Sequence, residues 1–279
     1  MDRPVSADEI RAAAWAEVRD LLELQLAPLG APALDALAAR PGEAVLDIGC
    51  GGGDTALALA DAVAPHGSVT GIDLSAAVLA HAQPLSGRRP GLRFLLGDAQ
   101  SFPFEAATFD AAFSRFGVMF FADPVAAFAN IRRSLKPGGR LAFVCWRALA
   151  DNPLDHLPLA AAAAHLPPQP PEDPQAPGPF SFADPDRVRG LLHAAGFDSI
   201  DVVPHDRKVG SGDLESMLRV CTRVGALGKI LRETPALRAR ALPAVRAALA
   251  EHDGPAGVQL AAATWVVTAR VSPAPPERR

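Results

Sequence analysis

Tyrosine is absent from this 279-residue chain, which removes one common general base from consideration. Cysteine is scarce: Cys50, Cys145 and Cys221 are odd in number and far apart. They form no C-x-x-C pair and no Cys/His spacing suited to a metal, so the expectation is reduced thiols, a cytoplasmic setting and no bound metal. Neither sign of charge dominates, because 27 Lys and Arg face 31 Asp and Glu, a formal net charge of -4. That balance gives no electrostatic reason to expect nucleic acid as a partner. Long apolar runs are missing too. The longest uncharged stretch, 254–269, is short and carries glycine and proline, so membrane insertion is not expected. Met1-Asp2-Arg3-Pro4 lacks the apolar core of a signal peptide, which again points to the cytoplasm. No internal repeat, G-x-S-x-G elbow, Walker lysine or H-E-x-x-H is found.

What is present is a stretch from Ala44 to Thr55. An apolar, partly β-branched run ends in a glycine cluster, and an alanine- and leucine-rich segment to Val63 follows, which reads as strand, tight turn and helix. Glycine admits backbone angles closed to other residues and lets a ligand lie on bare main chain, next to the unpaired N–H groups of a helix start. A dinucleotide fingerprint needs G-x-G-x-x-G, whereas these glycines fall as G-x-G-G-G, so a nicotinamide dehydrogenase is the less favoured rival. Ser68-Val69-Thr70-Gly71-Ile72-Asp73 reads as the second strand. Its terminal acid lies 24 positions beyond Gly49, where a βαβ unit sets a carboxylate against ribose hydroxyls. Leu92–Leu96 reads as strand three, Phe109–Ser114 as a central buried strand four, and Arg140–Trp146 as strand five. Asp123-Pro124 opens the helix between the last two.

The segment Leu46-Asp47-Ile48-Gly49-Cys50-Gly51-Gly52-Gly53 closely resembles motif I of the class I S-adenosylmethionine-dependent methyltransferases, and Leu135-Lys136-Pro137-Gly138-Gly139-Arg140-Leu141 is very like that family's entry into its fifth strand. The matches cover about residues 40 to 147, in order. The resemblance implies an α/β fold: a Rossmann-like, seven-stranded, mostly parallel sheet with an antiparallel last strand, helices on both faces and a helical cap. It implies S-adenosyl-L-methionine as cofactor and S-adenosyl-L-homocysteine as product. Gly49 and Gly51 then face the methionine part, Asp73 the ribose, and Asp98 and the Ala99 N–H the adenine. Asp47, Leu74, Ser114 and Arg115 complete the expected cofactor set, Arg115 having an acceptor carboxylate or an internal acid as alternative partners. The activity implied is in-line methyl transfer to a small, largely apolar acceptor, similar to the quinone-biosynthesis branch. The runner-up is another enzyme using the sulfonium, such as a lyase or cyclase, or a catalytically silent binding subunit.

Around the expected acceptor cleft stand Phe116, Met119, Phe120 and Trp146. His156 and His165 are the candidate bases, each with a surface or packing role as the plainer reading. Asp110 and Asp123 do not make the acid set of a metal-dependent enzyme. The expected organisation is a helical cap segment over 1–40, with helices at 7–26 and 32–40 and a capping box from Ser6 to Glu9. The cofactor-binding core spans 41–210 and 260–272, including a Pro-rich loop at 150–180. A helical insertion at 211–259 is broken by Pro235 and Pro243, and a disordered tail covers 273–279. Within the loop a short helix is expected at 157–165; beyond it, a helix from Asp184 to Ala195, strand six at 199–209 and a last strand at 263–271. The oligomeric state is left open.

Overall fold

The computed structural model describes residues 7–168 and 173–273. The expected capping serine, Ser6, and nearly all of the tail lie outside them. A long helix, α1 (Ala7–Leu37), leads into β1 (Ala44–Ile48), α2 (Asp54–Val63), β2 (Ser68–Asp73), α3 (Ala76–Ser86), β3 (Leu92–Leu96) and β4 (Phe109–Arg115). Then follow α4 (Pro124–Ser134), β5 (Leu135–Trp146), α5 (Pro153–Ala162), α6 (Pro185–Ala194) and β6 (Asp198–Val209). The chain closes with α7 (Leu214–Cys221), α8 (Gly225–Glu233), α9 (Arg238–Ala250), the two-residue strands β7 (Asp253–Gly254) and β8 (Gly257–Val258), and β9 (Leu260–Arg270).

Seven strands form one sheet in the order β3-β2-β1-β4-β5-β9-β6. The pairs β1/β2, β1/β4, β2/β3 and β4/β5 are parallel. β9 runs against β5: Val271 N–H donates to Gly139 O at one end, and Arg147 N–H donates to Ala263 O at the other. This is the doubly wound arrangement whose crevice opens at the carboxyl ends of β1 and β4, where the strand order reverses.

Two compact units divide the chain. The first comprises Gly30–Trp146, Pro174–Pro204 and Trp265–Arg279, and contains β1 through β5. Val45, Leu46, Ala111, Ala112 and Phe113 are fully buried, as parallel strands covered on both faces require. Phe128 and Phe143 stack with ring centres 5.7 Å apart, and Phe182 packs against both. Phe182 is therefore core. The second unit comprises Met1–Leu29, Arg147–Asp173 and His205–Thr264. It buries Val18, Leu22, Met217, Leu218, Leu227, Val245 and Leu249, with Gln25 Nε2 donating to Ser211 Oγ at 2.7 Å. Among the described residues no helix is long and apolar enough to cross a membrane.

Proline misleads at three places. The two expected leading helices are one, α1, which runs through Pro28 and Pro32. Burial of Leu26, Leu29, Ala33 and Leu37 outweighs the two missing donors. Pro243 sits inside α9 instead of breaking it, while Pro235 does open a separate short turn, Pro235–Leu237. The expected helix at 157–165 begins earlier, at Pro153, a residue suited to a first turn, and ends in a tighter turn at Ala163–His165. β5 starts at Leu135 rather than Arg140, through a register shift against β4, and β9 starts three residues early. The hairpin of β7 and β8 was not expected.

Candidate functional site

The glycine turn after β1 is held from both sides of the crevice. Gly49 and Gly51 have φ of +66° and +54°, in the left-handed region. A side chain at Gly49 would meet the Gly117 Cα at 2.9 Å, so the turns following β1 and β4 touch through bare main chain. At Gly51 the nearest group is a methyl of Val78 at 3.9 Å, so the space beside that backbone is open. Ser114, fully buried, donates to Ile48 O at 2.8 Å and accepts from Gly117 N–H at 3.2 Å, so its hydroxyl latches the two strands together.

Asp73, at the tip of β2 and half-buried, accepts from Gly51 N–H at 2.9 Å through one oxygen and from Ser75 N–H at 2.9 Å through the other. Each carboxylate oxygen has a second lone pair left for a ligand donor. The N-terminus of α3 is capped by Ser75, whose Oγ accepts from Val78 N–H. Leu74, the next residue, is 66% exposed, a large apolar side chain standing at the rim. After β3, Asp98 accepts from Gln100 N–H at 2.9 Å, and Ala99 is buried. Asn130 Nδ2 donates to Ala99 O at 3.0 Å and Phe102 O at 2.9 Å, fixing that loop from α4. No sequence signal marked Asn130.

Asp47, on β1 just before the turn, is a strongly perturbed carboxyl. It is fully buried; one oxygen accepts from Thr55 Oγ at 2.7 Å and the other, Oδ1, has no hydrogen-bond partner. Burial pushes its carboxyl up to about 7, against the pull of the Thr55 hydroxyl and the Arg115 charge and with a small push from Asp73. The Cys50 thiol beside it is driven upward by burial and by the same two carboxylates, so it is inert as a nucleophile.

At the ends of β4 and β5, Phe116 and Trp146 stack with ring centres 4.3 Å apart and planes 17° from parallel. Phe116 holds φ of +60°, a conformation costing a bulky residue about 1–2 kcal/mol. Burial and the stack offset it. Met119 is buried; its sulfur accepts from Trp146 N–H, and its carbonyl accepts from Gly178 N–H and Ser181 Oγ. Phe120 is half exposed. His156, exposed on α5, and His165, on the turn after it, belong to the second unit. Among the described residues, no group of three or more His, Cys, Asp or Glu gathers to hold a metal.

Residues 46–143 match a family model described as a methyltransferase domain. A protein from Streptomyces fradiae described as an uncharacterized 37.1 kDa protein in a transposon is 44% identical over 108 residues, 39% of this chain and 31% of that protein. The demethylmenaquinone methyltransferase of Staphylococcus aureus is 39% identical over 100 residues, 36% of this chain and 42% of that enzyme. The matches thus span less than half the length of these relatives. Among solved structures, the YcgJ protein from Bacillus subtilis aligns with a TM-score of 0.58 at 18% identity, over 86% of this chain and 97% of that one, a likeness of fold. The stretch 46–143 thus matches a methyltransferase domain, set in a fold shared with solved structures.

Proposed function

We propose that this chain is an S-adenosylmethionine-dependent methyltransferase acting on a small, largely apolar organic acceptor. The observation that carries the reading is the open space beside the Gly51 main chain together with a carboxylate, Asp73, tied to that glycine's own N–H. Two features of the chain fit the cofactor. Bare main chain at Gly51 leaves room for it, and the unpartnered Oδ1 of Asp47 is a buried acceptor lacking a donor. Asp73 would take the ribose hydroxyls, the glycine turn the methionine part, and the loop held by Asn130 the adenine. When bound, S-adenosylmethionine supplies an electrophilic methyl on a good leaving group.

The chain's own task is then to orient an acceptor and exclude water. Phe116, Met119 and Trp146 support an apolar acceptor wall at the carboxyl ends of β4 and β5, where ligands of open α/β sheets bind. The identity shared with a demethylmenaquinone methyltransferase favours a ring-bearing acceptor. His156 and His165 stay candidate bases for an acceptor that must lose a proton.

Calorimetric titration with S-adenosylhomocysteine, with NAD as control, tests the cofactor. Binding of the first and not the second is expected, and the reverse would sink the reading. Labelled methyl appearing in a phenolic or hydroquinone acceptor tests transfer. Tight cofactor binding with no transfer across a broad acceptor panel would leave the silent-subunit or cyclase reading in its place.

A further inference from the structure

Near its end α1 contains a residue that helix physics argues against. Gly30 lies between Pro28 and Pro32, in a segment already short of two main-chain donors, and glycine is the weakest helix former after proline. The reason sits on β4. A β-carbon at position 30 would meet Arg115 Cδ at 2.6 Å and Cγ at 3.2 Å, so the stem of Arg115 crosses the helix backbone where only a hydrogen leaves room. Arg115 is the last residue of β4, just before the left-handed Phe116 and Gly117, whose backbone touches Gly49.

The groups acting on the buried Asp47 carboxylate are the Thr55 hydroxyl, the Asp73 carboxylate and the Arg115 guanidinium, with the Cys50 thiol close by. Arg115 is the cation of that set, and it opposes the burial that drives Asp47 toward its neutral form. We propose that Gly30 is a positioning residue: by carrying no side chain it seats Arg115 where the guanidinium sustains the negative charge on Asp47. Position 30, remote in sequence from the glycine turn, thereby sets the charge available to a ligand there. Only that last consequence rests on the cofactor reading; the ionisation of Asp47 does not.

The test follows the Asp47 carboxyl by carbon-13 NMR titration of the unliganded protein, its signal identified by loss in Asp47→Asn. Gly30→Ala and Arg115→Ala are each expected to move the midpoint up by about half a pH unit or more. With the stem gone in Arg115→Ala, adding Gly30→Ala is expected to move it no further. In that background Gly30→Ala should also raise the melting temperature, since alanine is the better helix former, whereas in the native background it should lower it. A Gly30→Ala midpoint equal to the native one, or an equal shift in both backgrounds, overturns the proposal. If Gly30→Ala alone does not fold, Arg115→Ala decides, an unmoved midpoint overturning it. Failure of the native chain to bind S-adenosylhomocysteine would sink the cofactor reading while leaving these midpoints intact.

Discussion

Asp47→Asn is expected to make the unliganded protein more stable, increasingly so as pH rises. The carboxyl ordinarily titrates at 3.8, and burial raises it to about 7 in the fold. Because the folded value lies above the unfolded one, the contribution of Asp47 to stability is complete below 3.8 and is lost as pH climbs through about 7. Each unit of difference corresponds to about 1.4 kcal/mol, so from near pH 5 to near pH 8 the advantage of Asn over Asp grows by about 2–3 kcal/mol. Asn retains an oxygen for the Thr55 hydroxyl, and any cost of burying its amide is independent of pH. The slope with pH therefore carries the test, not the offset. Urea unfolding of both proteins across that range measures it. A stability difference that stays flat would show that Asp47 titrates normally and would remove it as the strained acceptor at the turn. The same variant is expected to bind S-adenosylmethionine more weakly, the usual exchange of stability for function at a binding site.

Asp73→Ala should weaken S-adenosylhomocysteine binding by about 2 kcal/mol, because hydrogen bonds to a charged group and the anchor on Gly51 N–H vanish together; undiminished affinity in calorimetry would exclude Asp73 from the site. Gly51→Val should fold with a penalty of about 1–2 kcal/mol, since its φ is +54°, and lose cofactor binding; a folded variant that binds normally would mean the cradle is misplaced. In the second unit, burial raises the Asp155 carboxyl to about 6 although it accepts from Ala226 N–H. Its stabilising contribution is lost as pH rises through about 6, so Asp155→Asn should raise the melting temperature at pH 8 more than at pH 5, and equal shifts would refute it. Phe116→Leu should lower affinity for planar aromatic acceptors and spare S-adenosylhomocysteine binding; a loss of both would make the stack a structural prop alone.

The core unit was readable because its signals are local. β1 and β2 end where apolar, β-branched runs meet glycine or an acid, and α4 starts at Asp123, whose side chain accepts from Ala126 N–H. Proline was the poorest guide. At Pro28, Pro32 and Pro243 a missing donor weakened the local case for helix, yet tertiary burial carried the helix through. The roles of Ser114 and Asp47 were only half legible: both were expected near the cofactor, but that one hydroxyl latches β1 to β4 and one carboxylate oxygen is left unpaired depends on strands far apart in the chain.

By itself the amino-acid order determined the strand–glycine–helix turn, the acid 24 residues later and the succession of strands and helices around them, since each follows from neighbours within one turn or one strand. Tertiary structure alone decided that Gly49 lies against Gly117, that Phe116 gives up a relaxed backbone to stack on Trp146, and that Gly30 yields its space to Arg115. Those are contacts between segments tens of residues apart. Close approach of two backbones, or of a backbone and a long side chain, leaves no periodic trace in sequence, because what it demands is the absence of atoms at one point in space.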